Sequence, residues 1–355
     1  MDTNCVDLSV VIAAYNEATV IDANIGRVIR ELDKRPNVRW ELIVVNDGSQ
    51  DQTGELINVW AKRDTRLRAL HHRRNFGQGR ALRTAFSVVK GDVIVTLDAD
   101  LSYAPEYIFR LVESLVDSDT DIALASAYMK GGSVRNVPLS RAFMSRLANL
   151  YLAKLSHYDI ATSTCVVRAY RRECIDLLVL TSDGMELQLE ILMKAYMLGF
   201  RVSEIPADLV WLNTKATRAN SASPRVSKMR ISRSMRLYLL MGWLFKPASF
   251  FIGLALVLIV LGCHMAVILL YMIANSVLSH MSEGFIVALS VGLREVFTGF
   301  TYSFVFCGAF LLIGIQLLAF SLLLMQNKFY FDELYKLGHM QLWHRQRGGD
   351  AGQST

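Results

Sequence analysis

Apolar residues in the first hundred positions come in short, nearly unbroken runs: Leu8 to Ala14, Trp40 to Val45 and Val93 to Leu97, with a weaker run from Leu67 to His71. Each is followed by a segment of helical periodicity, about Thr19 to Leu32, Thr53 to Lys62, Arg80 to Val89 and Pro105 to Val116. Strands that are continuously apolar, rather than alternating, are buried on both faces. Strands of that kind alternating with helices predict a mostly parallel α/β sheet covered on both sides. In such sheets ligands bind beyond the strand ends. Further along, the pattern predicts a strand over Asp121–Ala127, a basic helix carrying Arg141 and Arg146 that ends near Leu155, a helix holding Glu186 and Glu190, and a strand at Val202–Ile205. Arg225 to Phe245 reads as a basic amphipathic helix suited to a membrane interface.

The C-terminal third has a different pattern. No Asp, Glu, Lys or Arg occurs from Pro247 to Asn275, nor from Val296 to Asn327, and a bilayer-spanning helix needs roughly 20 such residues. Two transmembrane helices are expected, at about 247–274 and 300–326, joined by a surface helix. This skewed distribution explains a 52% hydrophobic content and a mean hydropathy of +0.30. Lys228, Arg230, Arg233, Arg236 and Lys246 precede the first span, and Lys328, Lys336, Arg345 and Arg347 follow the second. Arg294 is the single basic residue between them. The positive-inside rule then places both flanks in the cytoplasm. The polar stretch Met1–Asp7 and the short apolar run after it do not read as a secretory signal. The expected organisation is a cytoplasmic domain over 1–224, an interfacial helix over 225–246, a plasma-membrane domain over 247–327 and a cytoplasmic tail over 328–355.

Charge and cysteine content narrow the chemistry. The net charge of +6 concentrates ahead of the first span, where lipid headgroups and phosphates are nearer partners than nucleic acid. Five scattered cysteines without a C-x-x-C pair indicate neither a zinc site nor a disulfide framework. The strand Val93–Leu97 runs into Asp98-Ala99-Asp100. Side chains alternate along a strand, so both carboxylates point the same way. Such a pair suits a hard divalent cation, Mg²⁺ or Mn²⁺, although taken alone it also fits a solvated turn. The Asn46-Asp47-Gly48-Ser49 segment, by itself, fits a turn. Gly77 and Gly79 ahead of a helix, with Arg73, Arg74 and Arg80, form a weak anion-binding signal. His71 and His72 have no partner at ligand spacing and read as ordinary strand-end residues.

Taken together and in order, SVVIAAYNE (9–17), ELIVVNDGSQDQT (41–53), NFGQGRALRTAF (75–86), KGDVIVTLDADLSYAPE (90–106), VVRAYRRE (166–173), ELQLEIL (186–192), GFRVSEIP (199–206) and VSK (226–228) carry a family likeness. The chain resembles glycosyltransferase family 2, in the branch of dolichyl-phosphate mannose synthases and polyprenyl-phosphate glycosyltransferases. The resemblance implies a GT-A fold, a nucleotide-sugar donor, a polyprenyl phosphate acceptor and a divalent metal. It implies donor contacts at Ala14, Tyr15, Glu17, Asp47, Gly77 and Asp98, and metal ligands at Asp98 and Asp100. The acceptor phosphate or leaving diphosphate would meet Arg135, Arg141, Arg168 and Lys228. Asp98, Asp100, Arg168 and Lys228 are then the candidate catalytic set.

Three departures stand out. Ala13 replaces the family's usual proline. Ser102 stands where a polar amide often supplies a third metal ligand. Thr162 precedes Thr164-Cys165-Val166-Val167-Arg168 where relatives carry an aspartate, so no catalytic aspartate can be assigned there. A phosphate monoester, with a second pKa of about 6, is already anionic at neutral pH and needs positioning rather than deprotonation. Direct attack predicts inversion at the anomeric carbon. A non-catalytic membrane scaffold and a nucleotidyltransferase are the alternatives, and homo-oligomerisation is left open.

Overall fold

The computed structural model describes residues 6–155, 160–211 and 247–350. The chain divides into two compact units, one ending at Phe245 and taking in the residues from Lys336 onward, the other Lys246–Tyr335.

The first unit is built on β1 (Leu8–Ala14), β2 (Trp40–Asn46), β3 (Leu67–His71), β4 (Val93–Asp98), β5 (Ile122–Ser126), β7 (Arg168–Arg171) and β8 (Val202–Pro206), in the order β3-β2-β1-β4-β7-β5-β8. Short strands β6 (Ser133–Arg135) and β9 (Asp208–Val210) pair separately. The large sheet is mostly parallel, as its apolar runs predict. All seven residues of β2 are buried, which is why that run does not alternate. The exception is β7, which lies antiparallel between β4 and β5, with Thr96 opposite Arg168 and Leu124 opposite Arg168 on its other side.

Helices cover both faces. Against one pack α1 (Ile21–Leu32), α2 (Thr53–Arg63) and α4 (Tyr107–Asp117), through Ile21, Ile25, Val28 and Leu32, Ile57, and Ile108, Leu111 and Leu115. Against the other pack α3 (Gln78–Phe86), α6 (Arg172–Leu177) and α7 (Leu187–Met197), through Ala81, Leu82 and Ala85, Ile175, and Leu187, Ile191 and Ala195. On α1 the buried positions follow an i, i+4, i+7, i+11 spacing, one stripe of a helix. Each such side chain, fully buried, contributes about 1.5–3 kcal/mol. A longer helix, α5 (Leu139–Leu155), corresponds to the basic segment expected there.

The second unit contains α8 (Pro247–Ser279), a 3₁₀ turn (Met281–Glu283), α9 (Phe285–Gly299) and most of α10 (Thr301–Asp350). Phe250–Ser279 and Thr301–Tyr335 are long and apolar enough to cross a bilayer. Only 17% of the most apolar stretch of each is buried within the protein, so these are not core helices of a soluble fold. Large apolar side chains face outward along both, among them Val260, Leu270 and Tyr271 on α8 and Val305, Leu312 and Leu322 on α10. Where the helices meet, Cys307 Sγ donates to Gly262 O at 3.3 Å, and Ser276 Oγ donates to Glu295 Oε2 of α9 at 2.6 Å. The spans differ from expectation in extent. The first helix runs on to Ser279, and α10 continues through most of the expected tail. Loss of apolarity ends a span but not a helix, and no proline follows Asn327.

Candidate active site

The C-terminal ends of β1, β2 and β4 lie side by side, because the register pairs Ala14 with Asn46 and Ala13 with Asp98. Beyond β1 the chain turns at Asn16, whose φ of 53° is left-handed. Side chains of the next loop hold it there. Asn16 N donates to Ser49 Oγ, Gln50 N to Asn16 Oδ1, Glu17 N to Thr53 Oγ1 and Ala18 N to Asp51 Oδ2. Ala14 is buried and Tyr15 stands exposed at the rim.

Asp47, just past β2, is 2% exposed. Its Oδ1 lies 2.7 Å from His72 Nδ1 and accepts from Phe76 N at 3.0 Å, while Oδ2 accepts from Gly77 N at 2.8 Å. The other ring nitrogen of His72 is 2.9 Å from Thr84 Oγ1 on α3. Asp47 therefore ties the loop before α3 onto the end of β2. Gly48 makes room for that loop: with φ +68°, a Cβ there would sit 2.2 Å from the carbonyl carbon of Arg74. His72 joins this arrangement through partners that spacing could not reveal, 25 and 12 residues away.

Asp98 ends β4 and is partly buried, as is Asp100. Burial, and secondly the charge of Asp100, push the Asp98 carboxyl up to about 7, with the Gln78 amide opposing. Gln78 Nε2 donates to Asp98 Oδ1 at 3.5 Å. Asp100 Oδ1 accepts from Ser102 N at 3.0 Å and from Ser102 Oγ at 2.7 Å. The residue between, Leu101, is buried with φ 50°, a conformation that costs a bulky side chain about 1–3 kcal/mol. Asn24 Nδ2 donates to Ala99 O at 2.9 Å and fixes the segment from the α1 side. Below lie Tyr103 and Cys165, whose thiol is pushed up to about 12 by burial and then by the Asp98 charge. Among the described residues no group of three His, Cys, Asp or Glu side chains could hold a metal. Asp98 and Asp100 nonetheless fit one, because two partly buried carboxylates one residue apart offer hard oxygen donors of the kind Mg²⁺ or Mn²⁺ takes.

Gly77, just ahead of α3, and Gly79, within it, make close approaches to a distant loop. A Cβ on Gly77, at φ +109°, would meet Asp183 O at 2.4 Å, and Arg80 N donates to that same oxygen at 3.0 Å. The close approach is thus to the 181–184 loop rather than an open cradle. Glu190 anchors that loop: it accepts from Thr181 N and Ser182 N at 2.9 and 2.8 Å, and Lys194 Nζ closes on the same carboxylate.

Arg168 also departs from its expected place. It is 0% exposed, and Nε, Nη1 and Nη2 donate to the carbonyls of Cys165, Gln188 and Ser163 at 2.7, 2.9 and 2.7 Å. In this conformation it braces the 163–165 segment against α7 instead of reaching a phosphate. Membership of β7, a central strand, is the reason. Arg135 is exposed on β6. Arg141 lies on α5, and Lys228 falls outside the described residues.

Residues 9–178 match the sequence profile of Glycosyl transferase family 2. Polyprenol monophosphomannose synthase of Mycolicibacterium smegmatis is 34% identical over 230 residues, 63% of this chain and 84% of that protein. Undecaprenyl-phosphate 4-deoxy-4-formamido-L-arabinose transferase of Aeromonas hydrophila is 36% identical over 172 residues, 48% of this chain and 50% of that protein. Among solved structures, glucosyl-3-phosphoglycerate synthase from Mycobacterium tuberculosis, with Mn²⁺ and uridine diphosphate, aligns over 66% of this chain and 79% of its own at 20% identity and a TM-score of 0.47. With the family profile matched over residues 9–178 and a relative 34% identical of which 84% is covered, the chain belongs to glycosyltransferase family 2.

Proposed function

We propose that this protein transfers a sugar from a UDP- or GDP-sugar to a polyprenyl phosphate, undecaprenyl or dolichyl, on the cytoplasmic face of the plasma membrane, with inversion at the anomeric carbon. The observation that carries the reading is one chain holding both a strand-end carboxylate pair, Asp98 and Asp100, and two helices long enough to cross a bilayer. A lipid-linked acceptor keeps its tail in the membrane, and a tethered domain meets its headgroup without a search through solution. The similarity to polyprenol and undecaprenyl phosphate transferases supports the same acceptor class.

The chemistry then divides among the residues. Ala14, Tyr15, Glu17 and the loop tied down by Asp47 border the nucleoside end of the cleft. Asp98 and Asp100 hold the divalent cation, which when bound neutralises the donor diphosphate. Arg135, Arg141 and Lys228 supply positive charge for the acceptor phosphate, and no general base is required because that phosphate is already anionic. Alignment of the phosphate oxygen with the anomeric carbon supplies the rest.

Incubating the full-length protein in detergent with UDP- and GDP-sugars, polyprenyl phosphate and Mn²⁺, followed by mass spectrometry of the lipid extract, tests this. A polyprenyl monophosphate gaining one sugar mass is expected. A lipid that gains a nucleotide instead, or transfer only to water-soluble acceptors, would overturn it. Tags at residues 1 and 355 should be protected from outside reagents, and a tag near Ser279 should be accessible.

A further inference from the structure

Asp98 and Asp100 are two ligands, and the described residues contain no third His, Cys, Asp or Glu to join them. Among the described residues, a further protein ligand would be a neutral oxygen. Among the described residues two side chains hydrogen-bond the carboxylates: Ser102, whose Oγ donates to Asp100, and Gln78, whose amide lies 3.5 Å from Asp98 Oδ1. Resting on the transferase reading above, we propose that Gln78, the first residue of α3, is a metal-binding residue of this site and supplies through its amide oxygen what Ser102 does not.

The choice between the two follows from how each is held. Ser102 sits in a tight local turn in which both its backbone N–H and its hydroxyl point at one oxygen of Asp100, so turning its lone pairs toward a cation would break that bond. Gln78 is placed from several directions. Asp47 grips the N–H groups of Phe76 and Gly77 just before it, Asp183 O takes the N–H of Arg80 just after it, and Gly77 fits closely against Asp183. With its backbone fixed by β2 on one side and the 181–184 loop on the other, its side chain has a defined reach, and that reach ends at Asp98. Adjacent oxygen ligands of an octahedral ion bound at about 2.1 Å lie about 3 Å apart. An amide 3.5 Å from Asp98 Oδ1 comes within that distance by a small side-chain rotation. Turning the amide over exchanges its N–H₂, which suits the metal-free carboxylate, for a carbonyl oxygen, which suits the ion.

A consequence for this chain is that its third ligand comes from a different strand-helix unit, 20 residues before the acidic pair. The two loops, one held by Asp47 and the other by Glu190, would then couple to metal binding, because any movement of the start of α3 moves the ligand.

The test is Mn²⁺ binding to the full-length protein in detergent, read by electron paramagnetic resonance with MnCl₂ alone and again with UDP or GDP. Gln78→Met, of similar length without the oxygen, should weaken Mn²⁺ binding about ten-fold under both conditions, the size seen for altered metal surroundings. Gln78→Glu should restore it, and Ser102→Ala should leave it near wild type. Metal-free thermal unfolding of Gln78→Met should be unchanged, which separates ligand loss from misfolding. Wild-type affinity in Gln78→Met, or a loss confined to Ser102→Ala, would overturn the assignment to Gln78 while leaving the transferase reading intact. Weakening seen only with nucleotide present would assign Gln78 to the diphosphate instead. No Mn²⁺ binding by the wild type under either condition would overturn both the inference and the metal role.

Discussion

Replacing Asp98 by asparagine should make the metal-free protein more stable at pH 8, although it should destroy metal binding. In the fold the carboxyl titrates at about 7, against an ordinary 3.8, because burial and then the Asp100 charge disfavour ionisation. The sign follows from proton counting. Between those two values the folded state holds a proton that the unfolded state has released, so stability falls as pH rises through the window. It is then constant above it. At 1.36 kcal/mol per unit, the cost between pH 5 and pH 7 is about 3 kcal/mol, reduced to about 2–3 by the partial exposure of the site. Asparagine cannot ionise. Its stability difference from wild type should therefore shift by that amount in its favour between pH 5 and pH 8. Guanidinium unfolding of the full-length protein in detergent with EDTA, followed by tryptophan fluorescence, measures the difference at each pH. Saturating Mn²⁺ at pH 8 should restore the wild type, by about 2.7 kcal/mol at a hundred times its Kd, and leave the variant unmoved. A stability difference independent of pH, or equal responses to Mn²⁺, would refute the reasoning.

Glu190 should show the opposite dependence. Burial would raise its pKa, but the Lys194 ammonium and the N–H groups of Ser182 and Thr181 outweigh this and hold it at about 2. Its stabilisation is present above the ordinary 4.5 and lost as pH falls toward 2, so Glu190→Gln should cost about 2–3 kcal/mol at pH 7 and almost nothing near pH 2, measured by urea unfolding. Arg168→Met removes one donor from each of three carbonyls and leaves a cavity where a fully buried guanidinium sat, and should destabilise by about 3 kcal/mol, seen as a lowered Tm. Were Arg168 a phosphate contact alone, the Tm would hold and only acceptor saturation would change. Asp47→Asn turns one accepting oxygen into a donor facing the N–H groups of Phe76 or Gly77, and should raise the donor KM at least about ten-fold with a smaller change in kcat. Asp100→Asn should abolish metal-dependent transfer while the circular dichroism spectrum stays that of the wild type.

The apolar pattern by itself determined the parallel sheet and its helical cover, because strands buried on both faces cannot alternate. It determined the bilayer-length helices for the same kind of reason: a long uncharged run is costly to leave in water. The Asp98-Ala99-Asp100 motif was legible as sequence, but strand alternation did not place it, because β4 ends at Asp98 and Asp100 lies in the turn beyond. What only the tertiary structure decided involves contacts between residues distant in sequence. β7 lies in the sheet antiparallel between β4 and β5, and there Arg168, a candidate phosphate ligand by resemblance, is a buried brace. The glycines at the start of α3 met a loop from about 100 residues later. His72 and Gln78 acquired their partners, Asp47 and Asp98, only when three strand ends were brought to one edge. Local spacing carries the geometry of a strand or a helix, but a charge's environment is set by whatever the fold packs around it, and that is not written at the position itself.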